Sequence, residues 1–205
     1  MKRVRLIRHG ESAANAGLAS RDHATIPLTS LGVDQAWMVA GSFSVAPDLI
    51  VTSPFARAQA TAQATATIFP STTTEIWPIQ EFTYLEPARC ADTTVAQRKR
   101  WVDAYWLRSD PAYRDGVGSE SFIDFISRVQ AFLVRLAQHQ ASGTVVFSHG
   151  QFLNTVAWLL EKKPQALDSP AMADWRNYEI ENHLPNGGGF WISKENKDDF
   201  WILDR

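Results

Sequence analysis

The chain has 205 residues, 45% apolar and 20% charged, with a formal net charge of −2. That balance excludes a disordered tail, a collagen-like repeat and a coiled coil, and it leaves no overall field to draw the chain to nucleic acid or an anionic membrane. The only cysteine is Cys90 and no 18-residue apolar run occurs, which rules out an intrachain disulfide, a Cys-rich zinc site and a helical membrane span, and fits a cytoplasmic protein.

Val4, Leu6 and Ile7 form a β-favouring run that stops at Arg8-His9-Gly10, so residues 3–8 are predicted as a strand. No signal peptide is expected, because Arg5 and Arg8 interrupt this stretch. A loop rich in glycine, serine and proline follows over 16–30. Val33, Ala36, Trp37, Ala40 and Phe43 then recur at helical spacing. Leu49 to Thr52 reads as a second strand, and Ser53-Pro54 reads as an N-cap with proline at the first helical position, which places Arg57 in the first helical turn. Glu75-Ile76-Trp77 is a candidate third strand. Residues 82–118 read as an irregular aromatic and charged excursion that covers the site.

Phe122, Phe125, Ile126, Val129, Phe132, Leu133 and Leu136 give the clearest amphipathic helix in the chain. Thr144 to Ser148 is a fourth strand ending at His149-Gly150, and 152–160 reads as a buried helix. Phe190-Trp191-Ile192 and the run 200–203 suggest a C-terminal hairpin. Strands alternating with helices predict a three-layer α/β/α sandwich around a mostly parallel sheet, a single domain over 1–205.

Such sheets bind ligands outside the carboxyl ends of their strands. Three predicted strands end at Arg8-His9-Gly10, just before Arg57, and at His149-Gly150, which gathers two arginines and two histidines on one rim. Two guanidinium groups suit a phosphate dianion. Beside it, His9 can attack phosphorus as a nucleophile, while His149, Arg8 and Arg57 stabilise charge on the transferring group. The leaving alkoxide needs a proton, and Glu81 or Glu86 is the candidate acid.

At these residues the chain resembles the histidine phosphatase superfamily, in the branch that holds the phosphoglycerate mutases and many small-molecule phosphatases. The opening motif stands as Arg8-His9-Gly10-Glu11-Ser12, with Asn15 matching a phosphate hydrogen-bond donor. Leu28-Thr29 with Gly32 and Gln35-Ala36 is similar to the family's entry to its first helix. Ser53 to Ala58 with Thr61-Ala62 resembles its second segment, and Ser148-His149-Gly150 its third. Glu120-Ser121-Phe122 with Arg128-Val129 is similar to a recurring helix. The acid segment departs from the family's Leu-x-Glu followed by glycine, and Ile79-x-Glu81 aligns better than Leu85-Glu86.

The resemblance implies a phosphoglycerate mutase-like fold and a phosphatase acting on a small phosphorylated substrate, with no metal or organic cofactor. Arg8, Asn15, Arg57, His149 and Gly150 are the expected phosphate binders. A mutase, for which the chain's end soon after the hairpin is short, is the alternative, and a non-catalytic phospholigand-binding protein a third reading. Other chemistries lack their motifs. His23, His139 and His183 have no metal-ligand spacing, alanine at 96 excludes a cysteine-phosphatase loop around Cys90, and Gly-x-x-x-x-Gly-Lys and Gly-x-Ser-x-Gly do not occur. Arg98-Lys99-Arg100 and Arg21 read as solvated cations or as contacts for a second acidic group on the substrate.

Overall fold

The computed structural model describes residues 1–196 and 199–204. Its centre is a six-stranded sheet in the order β3-β2-β4-β1-β5-β6. The strands are β1 (Lys2–Arg8), β2 (Leu49–Thr52), β3 (Thr73–Ile76), β4 (Gly143–Ser148), β5 (Gly189–Lys194) and β6 (Ile202–Asp204). β1 to β4 pair in parallel, with Arg8 beside Ser148 and Thr52 beside Phe147, while β5 and β6 run antiparallel at one edge. This is the mostly parallel sheet expected, with the hairpin at its edge.

The period-two alternation of strand side chains sorts the helices into two layers. Val4, Leu6, Leu49, Val51 and Val146 face a core built with α4 (Val95–Arg108), α5 (Phe122–Gln138), α6 (Gly150–Lys162) and α7 (Ser169–Glu181). Ile7, Ile50, Val145 and Phe147 face the opposite way, onto Val39 of α1 (Ser30–Gly41) and Ala62 of α2 (Ala56–Ile68). The larger core is aromatic, with Phe82 stacked on Phe125 at 4.3 Å between centroids and Trp175 fully buried against Phe122. No helix among the described residues is long and apolar enough to cross a membrane.

Several elements differ from the sequence expectation. Residues 82–118 are not irregular: they hold α3 (Pro87–Cys90) and the 14-residue α4, which opens on a reciprocal capping box between Thr94 and Gln97. α2 begins at Ala56 with Phe55 at its N-cap, so Ser53 does not cap it. Instead the Ser53 hydroxyl takes the Phe55 amide at 3.2 Å and faces His149. β3 stops before Trp77, which turns into the core, and β6 starts only at Ile202. α1 ends before Phe43, and α6 starts at Gly150 rather than at 152. α7 was not anticipated. Its buried stripe is only Met172, Trp175 and Tyr178, too narrow to stand out from a polar segment.

Close backbone packing holds the first motif. A Cβ on Gly10 would lie 2.3 Å from the Gly32 carbonyl oxygen, and one on Gly32 would lie 2.0 Å from that of Glu11. The turn after β1 therefore presses on the first turn of α1, where the Thr29 hydroxyl caps Gly32 and also donates to Glu11.

Candidate active site

β1 and β4 end side by side, so His9 and His149 leave the sheet as neighbours with ring centroids 5.1 Å apart. Arg8 ends β1, and Arg57 sits in the first turn of α2, just beyond the end of β2. The four residues predicted to share a rim do so. Arg8, His9, Asn15, Arg57 and Glu81 line a cavity of about 230 Å³. His149 is wholly buried beside His9.

Local hydrogen bonds fix the two imidazoles. His9 Nδ1 lies 2.6 Å from the Gly10 carbonyl oxygen, so it carries the proton and donates. Its Nε2 then holds the lone pair, which accepts from Arg57 Nε–H at 3.0 Å. Burial and the two arginines push the His9 pKa down to about 3, so the ring is neutral near pH 7. Among the described residues the buried Ser53 hydroxyl has no acceptor for its own proton except His149 Nε2 at 2.8 Å, which puts the ring proton of His149 on Nδ1. Burial, with Arg57 and His9 nearby, holds the His149 pKa well below the ordinary histidine value.

That Nδ1 is buried and finds no partner among the described residues, and neither does Arg8 Nε. Arg8 Nη1 is held by the Leu184 carbonyl and by His183 Nε2 at 3.3 Å. Gly150 opens α6 beside this donor, and a Cβ there would lie 3.6 Å from Arg8 Nε. Two buried N–H groups left unpaired, each costing about 1–3 kcal/mol, call for an acceptor from outside the chain. Arg57 is only 7% exposed and its Nη1 donates to the His23 carbonyl at 2.7 Å. Burial lowers its pKa to about 10, which leaves it charged.

Glu81, not Glu86, reaches the cavity. Its carboxylate accepts from the Phe82 and Phe152 amides at 3.2 Å and from the Gln151 amide at 3.4 Å. It thereby satisfies the open first turn of α6, whose N-cap residue His149 supplies no side-chain bond. Burial raises the carboxyl's pKa, against the pull of Arg57 and Arg8. Glu86 stands at the N-cap position of α3 without a side-chain cap bond and packs against Gly116 instead. The Oδ1 of Asn15 is taken by the Ser12 amide and hydroxyl at 3.1 and 2.9 Å and by Asn186, which leaves its Nδ2 as a donor. Arg21 is exposed and does not line the cavity.

Four supporting contacts were not read from the sequence. Asn186 donates to the His9 carbonyl at 3.0 Å, the Thr61 hydroxyl takes the Gly10 amide at 3.0 Å, and Ser148 donates to the Ile79 carbonyl at 2.6 Å. The Arg128–Glu120 pair is the fourth. Arg128 grips Glu120 through two bonds of 2.8 and 2.7 Å and donates to the Pro78 and Gln80 carbonyls, while Glu120 takes the Thr83 amide. It clamps the segment that carries Glu81. Thr61, Ser148 and the Glu120 to Arg128 stretch all fall in segments that resemble the family's, although their contacts were not read from it; Asn186 has no such signal.

A buried, cationic pocket with a neutral histidine at its floor, at the carboxyl ends of parallel strands, defines an α/β anion-handling protein. The chain belongs to the histidine phosphatase superfamily (branch 1), whose sequence profile matches residues 4–197. No curated protein matches it. Among solved structures it is similar to an alpha-ribazole phosphatase from Shigella flexneri, at 25% identity over 98% of this chain and 94% of that one, with a TM-score of 0.74. A mycobacterial glucosyl-3-phosphoglycerate phosphatase has the same fold, with 21% identity over 100% and 98% of the two chains and a TM-score of 0.75. So does a phosphoserine phosphatase from Entamoeba histolytica, with 21% identity over 99% and 95% and a TM-score of 0.70. Membership and these neighbours support a phosphatase of this family.

Proposed function

We propose that the chain is a phosphatase for a small phosphomonoester, working through a phosphohistidine on His9. The observation that carries this reading is the pair of buried, unpartnered donors, Arg8 Nε and His149 Nδ1, beside the Nε2 lone pair of His9. A phosphate dianion supplies the acceptors both lack, and its charge offsets those of Arg8 and Arg57. When it arrives, Arg57 transfers its Nε–H from His9 to a phosphate oxygen, which frees the lone pair.

His9 Nε2 then forms a bond to phosphorus as the ester P–O bond breaks, and Glu81 gives its proton to the leaving alkoxide. Arg8, Arg57, Asn15 and His149 hold the three equatorial oxygens while charge redistributes over them. The Nδ1–H bond to the Gly10 carbonyl steadies the imidazolium side of the adduct. In the second half-reaction Glu81, now ionised, takes a proton from water. The oxygen attacks phosphorus, the P–N bond breaks, inorganic phosphate is released and His9 is regenerated. Arginines supply the positive charge throughout, so the scheme uses no metal.

The test is release of phosphate from a panel of small phosphomonoesters in the presence of chelator, with and without a bisphosphorylated glycerate. The expected result is turnover that needs neither metal nor primer. Turnover appearing only with the bisphosphorylated compound would replace this reading with a mutase.

A further inference from the structure

The short cationic run in the 82–118 segment divides in space. Lys99 pairs with Asp103 at 2.5 Å on the outside of α4, and Arg100 lies over the Trp101 ring at 5.3 Å. Arg98 alone turns inward and lines the cavity with Arg8 and Arg57. It is held there by Thr93 Oγ1 at 2.8 Å, the Thr93 carbonyl at 2.7 Å, Ser20 Oγ at 3.3 Å and His23 Nε2 at 3.1 Å.

All four partners are neutral, and Arg98 forms no ion pair among the described residues. A guanidinium has five N–H donors, so the four bonds leave one N–H, on Nη1. The side chain is fixed in place, yet its charge is unanswered. His23 links it to the phosphate seat, because the same residue gives its carbonyl to Arg57 and its ring to Arg98. Among the described residues Glu81 is the only carboxylate on the cavity wall. A phosphate dianion at Arg8 and Arg57, with Glu81 protonated as the acid, leaves one positive charge over, and it sits at Arg98.

The rest of the wall is mixed: Ile26, Phe82, Leu85, Val95 and Val102 line it, together with Ser12, Thr83, Tyr84 and Gln151. We propose that Arg98 is a specificity-determining residue, and that the cavity takes a phosphomonoester that carries a single carboxylate, received by Arg98. This rests on reading Arg8 and Arg57 as the phosphate seat. A second phosphate fits less well, since it brings two charges and three acceptor oxygens to a side chain with one N–H to give.

The test compares phenyl phosphate with 3- and 4-carboxyphenyl phosphate on wild type, Arg98→Gln and Arg98→Lys. Any effect of the carboxylate on the leaving group is common to all three proteins and cancels. Wild type is expected to favour at least one carboxylated isomer by tenfold or more in kcat/KM, mainly through KM. Arg98→Gln brings that ratio close to one, and Arg98→Lys restores part of it. A loss that falls equally on all three esters, with the ratio intact, would make Arg98 a brace between residues 20–23 and Thr93 and overturn the proposal. So would a wild type with no preference for either isomer. If wild type hydrolyses none of the esters, the phosphatase reading fails on its own, and calorimetric affinities for the intact esters decide the matter. Tighter binding of a carboxylated ester that Arg98→Gln abolishes upholds the proposal, and equal affinities reject it.

Discussion

Replacing Glu81 with glutamine separates the chemistry from the fold. The carboxyl is enclosed where β4, α6 and the 78–83 segment meet, and burial raises its pKa despite Arg57, Arg8 and the amides of Gln151 and Phe82. Glutamine keeps one oxygen for the Phe82 and Phe152 amides, gives up the longer bond from the Gln151 amide at 3.4 Å, and has no acidic proton to give. Loss of a general acid costs about 10²–10⁴ in rate where the leaving group needs protonation. We therefore expect that loss on an alkyl phosphate, and less than about tenfold on p-nitrophenyl phosphate. Stability moves the other way. A carboxyl whose pKa is higher folded than unfolded destabilises the fold as pH climbs from its unfolded value of 4.5 through its folded one, and the full penalty applies above that. Each tenfold difference in proton affinity is worth about 1.4 kcal/mol, or about 3–6 °C in Tm for a chain of this size. Glu81→Gln should thus raise Tm at pH 8 and leave it unchanged at pH 4. The assays are steady-state kinetics on the two esters and thermal unfolding at the two pH values. Equal rate losses on both esters, or a lower Tm at pH 8, would refute the reasoning.

Two further expectations concern the neighbours of that carboxyl. His9 is depressed from 6.5 to about 3 by burial, Arg57 and Arg8. Its imidazole should show no titration by NMR between pH 5 and 8 in the ligand-free protein, and stability from this group is lost as pH falls below 6.5, by about 1.4 kcal/mol per pH unit. Arg128→Leu removes both bonds to Glu120 and those to the Pro78 and Gln80 carbonyls. It should cost about 2–4 kcal/mol in urea unfolding and, by loosening the Glu81 segment, depress alkyl-ester turnover more than aryl-ester turnover.

What the sequence revealed follows from where its signals are local. Strand ends at Arg8-His9-Gly10 and Ser148-His149-Gly150 are marked by abrupt loss of β-branched and aromatic residues, so the histidine pair and its arginines could be placed on one rim before any coordinates. α5 was clear because Phe125, Ile126, Val129, Phe132 and Leu136 keep one face buried along its whole length. α4 was missed because its aromatics Trp101, Tyr105 and Trp106 pack beside charged residues and only Tyr105 is fully buried; its Thr94–Gln97 capping box was the legible signal. Ser53 misled in a different way, since Ser-Pro has the pattern of a helix start while the hydroxyl is engaged across the sheet by His149, 96 residues away. Asn186 and the Arg8–His183 contact depend on the loop before β5 folding back over β1, a tertiary event that no spacing encodes. Which of Glu81 and Glu86 reaches the first turn of α6 likewise depends on the tertiary fold and not on local spacing.

The central claim is that phosphorus passes through His9. The most direct measurement is rapid quench of the wild type with an aryl phosphate, followed by mass spectrometry of peptides kept at alkaline pH, where phosphohistidine survives, with His9→Ala treated alongside. The account predicts one added phosphoryl group on the peptide carrying His9 in the wild type, and none on any histidine in His9→Ala. A wild type that turns over the ester with no modified His9, or a His9→Ala variant that matches wild-type turnover, would contradict it.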